Sequence, residues 1–355
     1  MPNRDVVVVG ASAGGIEALK EVLAGLPADL PAAVLVVLHI PPAGGRSLPA
    51  ILARATGLRV QAAEDGEPLE HGRAYVCVGD KHLLVGEEHV HVRRGPRENG
   101  HRPAVDPLFR SAARFHGPRV IGVVLSGTLS DGTAGLHAVK RRGGIAVVQD
   151  PADAMYGGMP ASAIEYVRVD HVVPAAEIGP VICRLVKEPS GPEPEDPTAL
   201  MRKEVALVEA GDGVLEREHP GRPSSWPCPD CSGVLWQIDD GPLLRFRCRV
   251  GHAWTAEALL EVQGDEVEAA LWTALRALED RAALSWALAG RAEHDGRRIT
   301  AGRFKGEAED VRRSIDVLRR LLGAGVGRAA DAEGVGEPAE REGGPHERKS
   351  REGGR

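Results

Sequence analysis

Short aliphatic runs alternate with amphipathic segments over the first half of the chain. The runs that predict strands are 6–9, 34–38, 120–125 and 144–149. The segments with helical spacing are 16–26, 48–56, 105–115 and 133–142. Continuous apolar strands separated by helices are typical of a parallel sheet covered on both faces. The pattern predicts an α/β fold over residues 1–187, with a doubly wound, mostly parallel, three-layer sheet of the Rossmann-like type. Residues 61–92, which Gly and charged pairs interrupt, are predicted to be a β excursion or a sheet edge.

The second half of the chain has a different pattern. Residues 188–222 begin with a stretch rich in Pro, Glu and Gly and are predicted to be a linker. A compact segment with three cysteines, called the cysteine module here, follows over residues 223–255. Apolar positions at helical spacing predict a helical region over 256–324. Residues 325–355, which lack periodicity and are mainly Gly, Ala, Glu and Arg, are expected to be disordered.

Composition and charge exclude several classes of function. Aromatic residues make up only 3% of the chain, so the cores must be built from Ala, Val, Leu and Ile. The net charge of -7 argues against nucleic acid as the main ligand, and the local cluster of Arg93, Arg94 and Arg97 is interpreted as a solvated surface. There is neither a signal peptide nor an apolar stretch of membrane-spanning length. We therefore expect a cytoplasmic protein that neither binds nucleic acid nor inserts into a membrane.

Three polar residues follow predicted strands at the edge of the sheet where a ligand would bind. Ser12 follows the first strand, His39 ends the second, and Asp131 lies in the loop after the strand at 120–125. A serine hydroxyl needs a base within hydrogen-bond reach, and an imidazole titrates near neutrality. A carboxylate holds that imidazole in the productive tautomer. The sequence therefore predicts a Ser-His-Asp catalytic triad.

Each of these residues also has a simpler explanation. A Gly-rich turn after a first strand often holds a phosphate or a dinucleotide, although residues 10–15 lack both the G-x-G-x-x-G spacing and a Walker lysine. His39 alone is also explained as a hydrogen-bonded histidine at a strand end. Asp131, which precedes Gly132, is also explained as a turn residue. The residues by themselves leave these alternatives open.

Motifs along the same half of the chain resemble those of one enzyme family. Residues 10–15, Gly-Ala-Ser-Ala-Gly-Gly, resemble the nucleophile loop of the chemotaxis methylesterase (CheB-type) catalytic domain. Residues 39–41 resemble its histidine segment, and residues 126–135 resemble its aspartate loop. Further segments similar to family hallmarks are 101–113, 149–151 and 158–160. The motifs occur in the family's order over residues 5–185, and the chain is identified as a member of this family.

The resemblance implies a protein-glutamate methylesterase that needs no cofactor for catalysis. Ser12 would be the nucleophile, His39 the general base and then the general acid, and Asp131 the residue that orients the imidazole. The implied substrate is a γ-glutamyl methyl ester on the cytoplasmic helices of a methyl-accepting chemoreceptor, and the family also deamidates receptor glutamines. A chemotaxis kinase or methyltransferase is a further candidate partner. A catalytically silent signalling scaffold and a hydrolase of small esters outside chemotaxis are the alternative functions.

The chain departs from the family pattern in three ways. Ala13 follows the serine where the family usually has Thr, and Thr128 and Leu129 stand where it usually has Met and Gly. Because these residues border the predicted active site, the rate or the substrate preference is expected to differ. The family's usual N-terminal receiver domain does not precede the first strand, so we expect regulation to come from elsewhere.

The cysteine module has the residue spacing of a zinc-ribbon-like site. Cys228 and Cys231 form a C-x2-C pair, and Cys248 and His252 follow as C-x3-H. Thiolates and an imidazole satisfy tetrahedral zinc, and four protein ligands leave no open position for catalysis. A metal would supply folding energy to a segment that has little core of its own. The sequence predicts a structural zinc site, and the alternative is a reduced module whose cysteines are merely packed.

Overall fold

The structure is a computed structural model. It describes residues 2–192, 194, 196–210, 221–239, 241 and 243–324. The chain divides into two compact units, the first comprising Met1–Gln263 and the second beginning at Gly264.

The described residues form the following strands and helices, numbered in chain order. The strands are β1 (Val6–Ala11), β2 (Ala33–Leu38), β3 (Arg59–Ala62), β4 (Arg73–Val76), β5 (His82–Val85), β6 (Val90–Arg93), β7 (Val120–Val124), β8 (Ile145–Gln149), β9 (His171–Val173), β10 (Arg222–Pro227), β11 (Val234–Asp239), β12 (Leu244–Cys248) and β13 (Ala253–Thr255). The helices are α1 (Gly15–Ala24), α2 (Leu48–Ala53), α3 (Val105–His116), α4 (Thr133–Arg141), α5 (Gly158–Tyr166), α6 (Ala175–Leu185), α7 (Ala199–Glu209), α8 (Ala256–His294) and α9 (Arg298–Gly323).

Seven parallel strands form the central sheet, in the order β3-β4-β2-β1-β7-β8-β9. From β1 the chain adds β2, then the edge strand β3, and then β4, which lies between β2 and β3. From β7 onward it builds the other half of the sheet, on the opposite side of β1. The point where the order reverses lies between β1 and β7, which is the topological switch point of an open α/β sheet. In the predicted excursion at 61–92, β4 joins the main sheet, whereas β5 and β6 form a separate antiparallel hairpin.

Two apolar layers cover this sheet because alternate residues of a strand face opposite sides. Val6 and Val8 of β1 belong to the layer that contains buried residues of α3, α4 and α5. Val7 and Val9 belong to the opposite layer, with buried residues of α1, α2 and α6. Helices therefore cover both faces, and the predicted doubly wound, three-layer α/β fold is confirmed.

Part of the predicted linker at 188–222 is a packed helix, so that prediction is wrong for residues 199–209. Helix α7 occupies them, and Met201, Val205 and Val208 are buried on one side of it. These positions follow the i, i+4, i+7 spacing of an amphipathic helix. The Pro-rich stretch that precedes the helix hid this spacing, because Pro and Gly indicate a break in local structure.

The cysteine module is a four-stranded antiparallel sheet with the order β10-β11-β12-β13. Its small apolar core includes Leu235, Phe246 and Trp254. It belongs to the same compact unit as the seven-stranded sheet. The module is therefore packed with the α/β domain instead of forming a unit of its own.

The predicted helical region at 256–324 contains α8 and α9. In the second unit Leu275, Val311 and Ile315 form a small buried apolar cluster between these helices. The predicted disordered tail at 325–355 lies outside the described residues. Within the described ranges, no helix combines the length and the apolar character that crossing a membrane requires.

Candidate active site

The ends of three neighbouring strands bring Ser12, His39 and Asp131 together. Ser12 directly follows β1, His39 directly follows β2, and Asp131 lies in the loop between β7 and α4. His39 Nδ1 is 3.0 Å from Ser12 Oγ, and His39 Nε2 is 2.7 Å from Asp131 Oδ2. The three predicted catalytic residues form one hydrogen-bonded chain at the switch point of the sheet.

The hydrogen bonds of Asp131 determine which nitrogen of His39 carries the proton. Asp131 Oδ2 also accepts from the backbone N–H of Val105 at 2.7 Å, and Oδ1 accepts from the amide of Asn99 at 3.1 Å. Burial by itself would raise the pKa of Asp131, but the hydrogen bond and charge of His39 and the Val105 N–H outweigh burial and hold this pKa below its ordinary value. An ionised carboxylate only accepts hydrogen bonds. Nε2 must therefore donate, which leaves Nδ1 free to take the serine proton.

The ring of His101 stacks on the imidazole of His39. The two ring centroids are 3.7 Å apart, with an angle of 19° between the planes. Burial, followed by the neighbouring His39, lowers the pKa of His101 to about 4. At neutral pH the ring of His101 is uncharged, so it covers one face of His39 without opposing formation of the imidazolium. The only sequence signal for His101 is its place in the family-like segment 101–113, which by itself predicts no role for this residue.

Glycines allow the loops around Ser12 to approach one another. Gly14 has a φ of +70°, and a Cβ there would lie 2.7 Å from Cβ of Met155. A Cβ on Gly127, in the loop after β7, would lie 2.8 Å from Cβ of Ser12. A larger residue at either position would displace the loop that follows Ser12 or the loop that carries Asp131.

The turn after Ser12 presents backbone donors at the start of α1. The Gly15 N–H donates to the carbonyl oxygen of Ser12 at 2.9 Å, which closes the turn. The N–H groups of Ala13 and Gly14 donate to no acceptor among the residues that the structure describes. The positive end of a helix dipole favours negative charge at this position. The arrangement is suited to stabilising an oxyanion that forms next to Ser12.

Asp106 is a second buried carboxyl group near Asp131, and no sequence pattern predicted a role for it. Its backbone N–H is 3.4 Å from Asp131 Oδ1, and its own Oδ1 accepts from the Gly135 N–H at 2.6 Å. Burial, followed by the charge of Asp131, raises the pKa of Asp106 to about 8. Because two neighbouring buried carboxylates repel each other, Asp106 keeps its proton at neutral pH while Asp131 is ionised.

Replacing Asp106 by Asn is expected to remove a pH dependence of stability. Between about pH 4, where an ordinary carboxyl titrates, and the pKa of about 8 in the folded protein, the folded state holds a proton that the unfolded state has lost. The free energy of unfolding of the wild type should fall as the pH rises through this window, on the order of 1 kcal/mol per pH unit. Asp106→Asn keeps an acceptor for Gly135 and should lack this fall. Urea unfolding of both proteins at several pH values checks the prediction. If the free energy of unfolding changes with pH by the same amount in the two proteins, the prediction is contradicted.

The four predicted metal ligands lie together in the cysteine module. Cys228 and Cys231 lie between β10 and β11, Cys248 ends β12, and His252 precedes β13. Their ligand atoms all lie within 4.8 Å of one another, with Cys231 Sγ 3.6 Å from Cys248 Sγ and Cys248 Sγ 3.5 Å from His252 Nδ1. All three cysteines are free thiols. The separations approach the roughly 3.8 Å expected for ligands at zinc–sulfur distance around a tetrahedral ion, so the donor set fits zinc.

Comparison with known proteins places the first half of the chain in a family. Residues 7–182 match the model of the CheB methylesterase family. The chain is 38% identical over 192 residues to protein-glutamate methylesterase/protein-glutamine glutaminase 2 of Methanosarcina mazei, which covers 52% of each protein. It is 42% identical over 186 residues to protein-glutamate methylesterase/protein-glutamine glutaminase 5 of Anaeromyxobacter dehalogenans, which covers 51% of each. The chain spans about half the length of the curated relatives it matches.

A solved structure shares this fold. The CheB methylesterase catalytic domain of Thermotoga maritima matches with a TM-score of 0.50 and 35% identity, over 51% of this chain and 98% of that chain. The residues that match the family model include Ser12, His39 and Asp131, and they end before the cysteine module. By its sequence and by its fold, this chain belongs to the CheB methylesterase family.

Proposed function

We propose that this protein is a protein-glutamate methylesterase that hydrolyses γ-methyl esters of glutamate on methyl-accepting chemoreceptors. The observation that carries the proposal is the hydrogen-bonded chain from Ser12 through His39 to Asp131. The names of the relatives, protein-glutamate methylesterase/protein-glutamine glutaminase, support the chemical class of the substrate. Because the proposed substrate lies on the cytoplasmic helices of a receptor, we place the activity in the cytoplasm. The chemotaxis kinase and the receptor methyltransferase are proposed as further partners.

Hydrolysis at this site proceeds by two acyl transfers. His39 Nδ1 takes the proton of Ser12 as Oγ attacks the ester carbonyl carbon, and the N–H groups of Ala13 and Gly14 stabilise the oxyanion. Asp131 stabilises the imidazolium that forms. The carbon–oxygen bond to the methoxy group then breaks, and His39 gives its proton to this group, which leaves as methanol. Water, deprotonated by His39, then attacks the carbonyl carbon of the glutamyl ester on Ser12. The bond from this carbon to Oγ breaks, His39 returns the proton to Oγ, and the receptor glutamate is released.

The same residues are suited to deamidating glutamine. A glutamine side chain differs from the methyl ester in its leaving group, which His39 would protonate so that it departs as ammonia. The relatives are named for both activities. We therefore propose receptor glutamine deamidation as the second activity of the same site.

Release of methanol from receptor membranes tests the proposed substrate. Membranes whose receptors carry isotopically labelled γ-methyl esters should release labelled methanol when the full-length protein is added. Membranes from cells without the receptor methyltransferase are the matched control and should release none. Turnover of a small ester without release from receptors would contradict the receptor substrate and favour the small-ester hydrolase. Absence of turnover with every ester would favour the silent scaffold.

For the cysteine module we propose a structural zinc ion held by Cys228, Cys231, Cys248 and His252. The closeness of the four ligand atoms and their thiolate and imidazole chemistry support this assignment. Four protein ligands close the coordination sphere, so the ion would stabilise the fold and take no part in ester hydrolysis. Metal analysis of the purified protein is expected to give about one zinc per chain.

A further inference from the structure

A short hairpin at residues 98–101, called the active-site hairpin here, contacts two of the three triad residues. Its end residues exchange backbone hydrogen bonds of 3.1 and 2.9 Å. From its tip, the amide nitrogen of Asn99 donates to Asp131 Oδ1 at 3.1 Å. At its end, His101 stacks on His39. Movement of the active-site hairpin would remove a donor from Asp131 and a covering ring from His39.

The cysteine module holds the active-site hairpin through strand β13. The N–H of Asn99 donates to the carbonyl oxygen of Ala253 at 2.8 Å, and the N–H of Ala253 donates to the carbonyl oxygen of Arg97 at 3.2 Å. The side-chain oxygen of Asn99 accepts from the Thr255 N–H at 2.8 Å. The amide of Asn99 is therefore a bridge, with its oxygen on the cysteine module and its nitrogen on Asp131.

The loop that carries Asp131 contacts the cysteine module directly as well. The hydroxyl groups of Ser130 and Thr255 are 2.8 Å apart. The side chain of Leu129 packs against the apolar cluster that contains Trp254. Leu129 has a φ of +62°, which is unfavourable for leucine but which glycine, the family's usual residue at this place, adopts freely. Its contact with the cysteine module gives a physical reason for a large apolar residue in this backbone conformation.

Buried charges join the cysteine module to the α/β domain under the active-site hairpin. Glu98 accepts from Arg110 at 2.6 and 2.7 Å and from Arg247 of β12 at 3.1 Å. Glu204 of α7 accepts from Arg247 at 2.8 Å and from Arg245 at 3.0 Å. All five side chains are buried. Removing one partner would leave an uncompensated charge in the interior, so the cysteine module and the domain depend on each other for stability.

We infer that Asn99 is a positioning residue for the triad and that the metal-loaded cysteine module determines its position. Cys248 and His252 flank the turn from β12 to β13, and the N–H of Cys248 donates to the carbonyl oxygen of His252 at 2.9 Å. A metal ion on these two residues would fix the strand from which Thr255 holds Asn99. Loss of the ion then acts on Asp131 through Asn99, although the ion touches none of the reacting groups. The inference rests on the proposed triad and the proposed zinc site.

The variant Asn99→Gly in the full-length protein tests the role of Asn99. Glycine readily adopts the φ of +51° found at Asn99, so the backbone turn is kept while the side-chain bridge is lost. We expect kcat for ester hydrolysis to fall roughly 10- to 100-fold. KM should stay near the wild-type value because Asn99 is buried. The exposed Asn3, the other asparagine of the chain, provides the matched control Asn3→Gly.

A second readout reports on the triad without any assumption about the substrate. The Nε2–H proton of His39, which is hydrogen-bonded to Asp131, should give a strongly downfield proton NMR signal. Asn99→Gly is expected to shift or broaden this signal, whereas Asn3→Gly should leave it in place. Unchanged kcat together with an unchanged signal in Asn99→Gly would overturn the inference. A failure of the methylesterase proposal would instead appear as absent methanol release with the signal still sensitive to Asn99.

Removal of the metal tests the part played by the cysteine module. Chelation of the purified protein and the variant Cys231→Ser should both shift the His39 signal in the same sense as Asn99→Gly. Cys183→Ser, which changes a cysteine outside the proposed zinc site, is the control and should leave the His39 signal in place. If Cys231→Ser fails to fold, Ser130→Ala is the second variant: it removes the hydroxyl contact with Thr255 at 2.8 Å and the longer one with Glu257 at 3.5 Å, and it should give a smaller shift of the His39 signal. If metal analysis verifies that the metal is lost and the His39 signal is nevertheless unchanged, the inferred role of the cysteine module in positioning Asn99 is overturned.

Discussion

Ser12→Ala is expected to lower ester hydrolysis by about four orders of magnitude or more, because removing Oγ removes the proposed nucleophile and hence the acyl-enzyme. The fold should be unaffected, since the substitution removes only the hydroxyl group that contacts His39, and His39 is still held by Asp131 at 2.7 Å. The measurement is the rate of methanol release from methylated receptor membranes at saturating receptor.

Ser47→Ala is the matched control for this experiment. Ser47 is exposed and precedes α2 without a side-chain capping hydrogen bond, so its loss should change the rate little. Methanol release that is unchanged by Ser12→Ala would contradict the proposed nucleophile. An equal loss in both variants would show that the assay reports general damage to the protein.

Cys228→Ser is expected to abolish stable metal binding and to unfold the cysteine module. Cys228 is buried beside a small apolar cluster that includes Leu235 and Phe246, which offers little stabilisation once the metal is lost. In small zinc modules the metal supplies on the order of 10 kcal/mol, which is comparable to the whole stability of a typical domain. Metal content per chain and thermal unfolding measure the two effects, with Cys183→Ser as the control.

Unfolding of the cysteine module should also destabilise the α/β domain. Loss of the contact with Arg247 would leave Arg110 as the remaining partner of Glu98. Glu204 would lose the guanidinium groups of Arg247 and Arg245 at once. Breaking a buried ion pair by removing one partner typically costs about 3–5 kcal/mol. Cys228→Ser protein that keeps its metal and unfolds like the wild type would contradict the proposed zinc site.

The central α/β sheet followed from the sequence because its signal is local. The period of apolar residues distinguishes a strand from a helix within a few positions. The predicted strand at 34–38 and helix at 105–115 lie within one residue of β2 and α3 at each end. The elements that were missed carry weak or contradictory local signals. Helix α6 contains Pro180, which disfavours a helix, and the half-exposed strand β9 has only three residues.

By itself, the sequence determined the fold class, the three triad candidates and the four candidate metal ligands. Strand ends and ligand spacings can be recognised from residues that are close together in the sequence. The tertiary structure alone decided that Nδ1 of His39 faces Ser12, that His101 and Asp106 belong to the site, and that the cysteine module packs with the α/β domain. Asn99 lies 32 residues from Asp131 and 156 from Thr255, yet it bonds to both. Contacts over such separations are set by how the layers pack, which no local pattern of residues encodes.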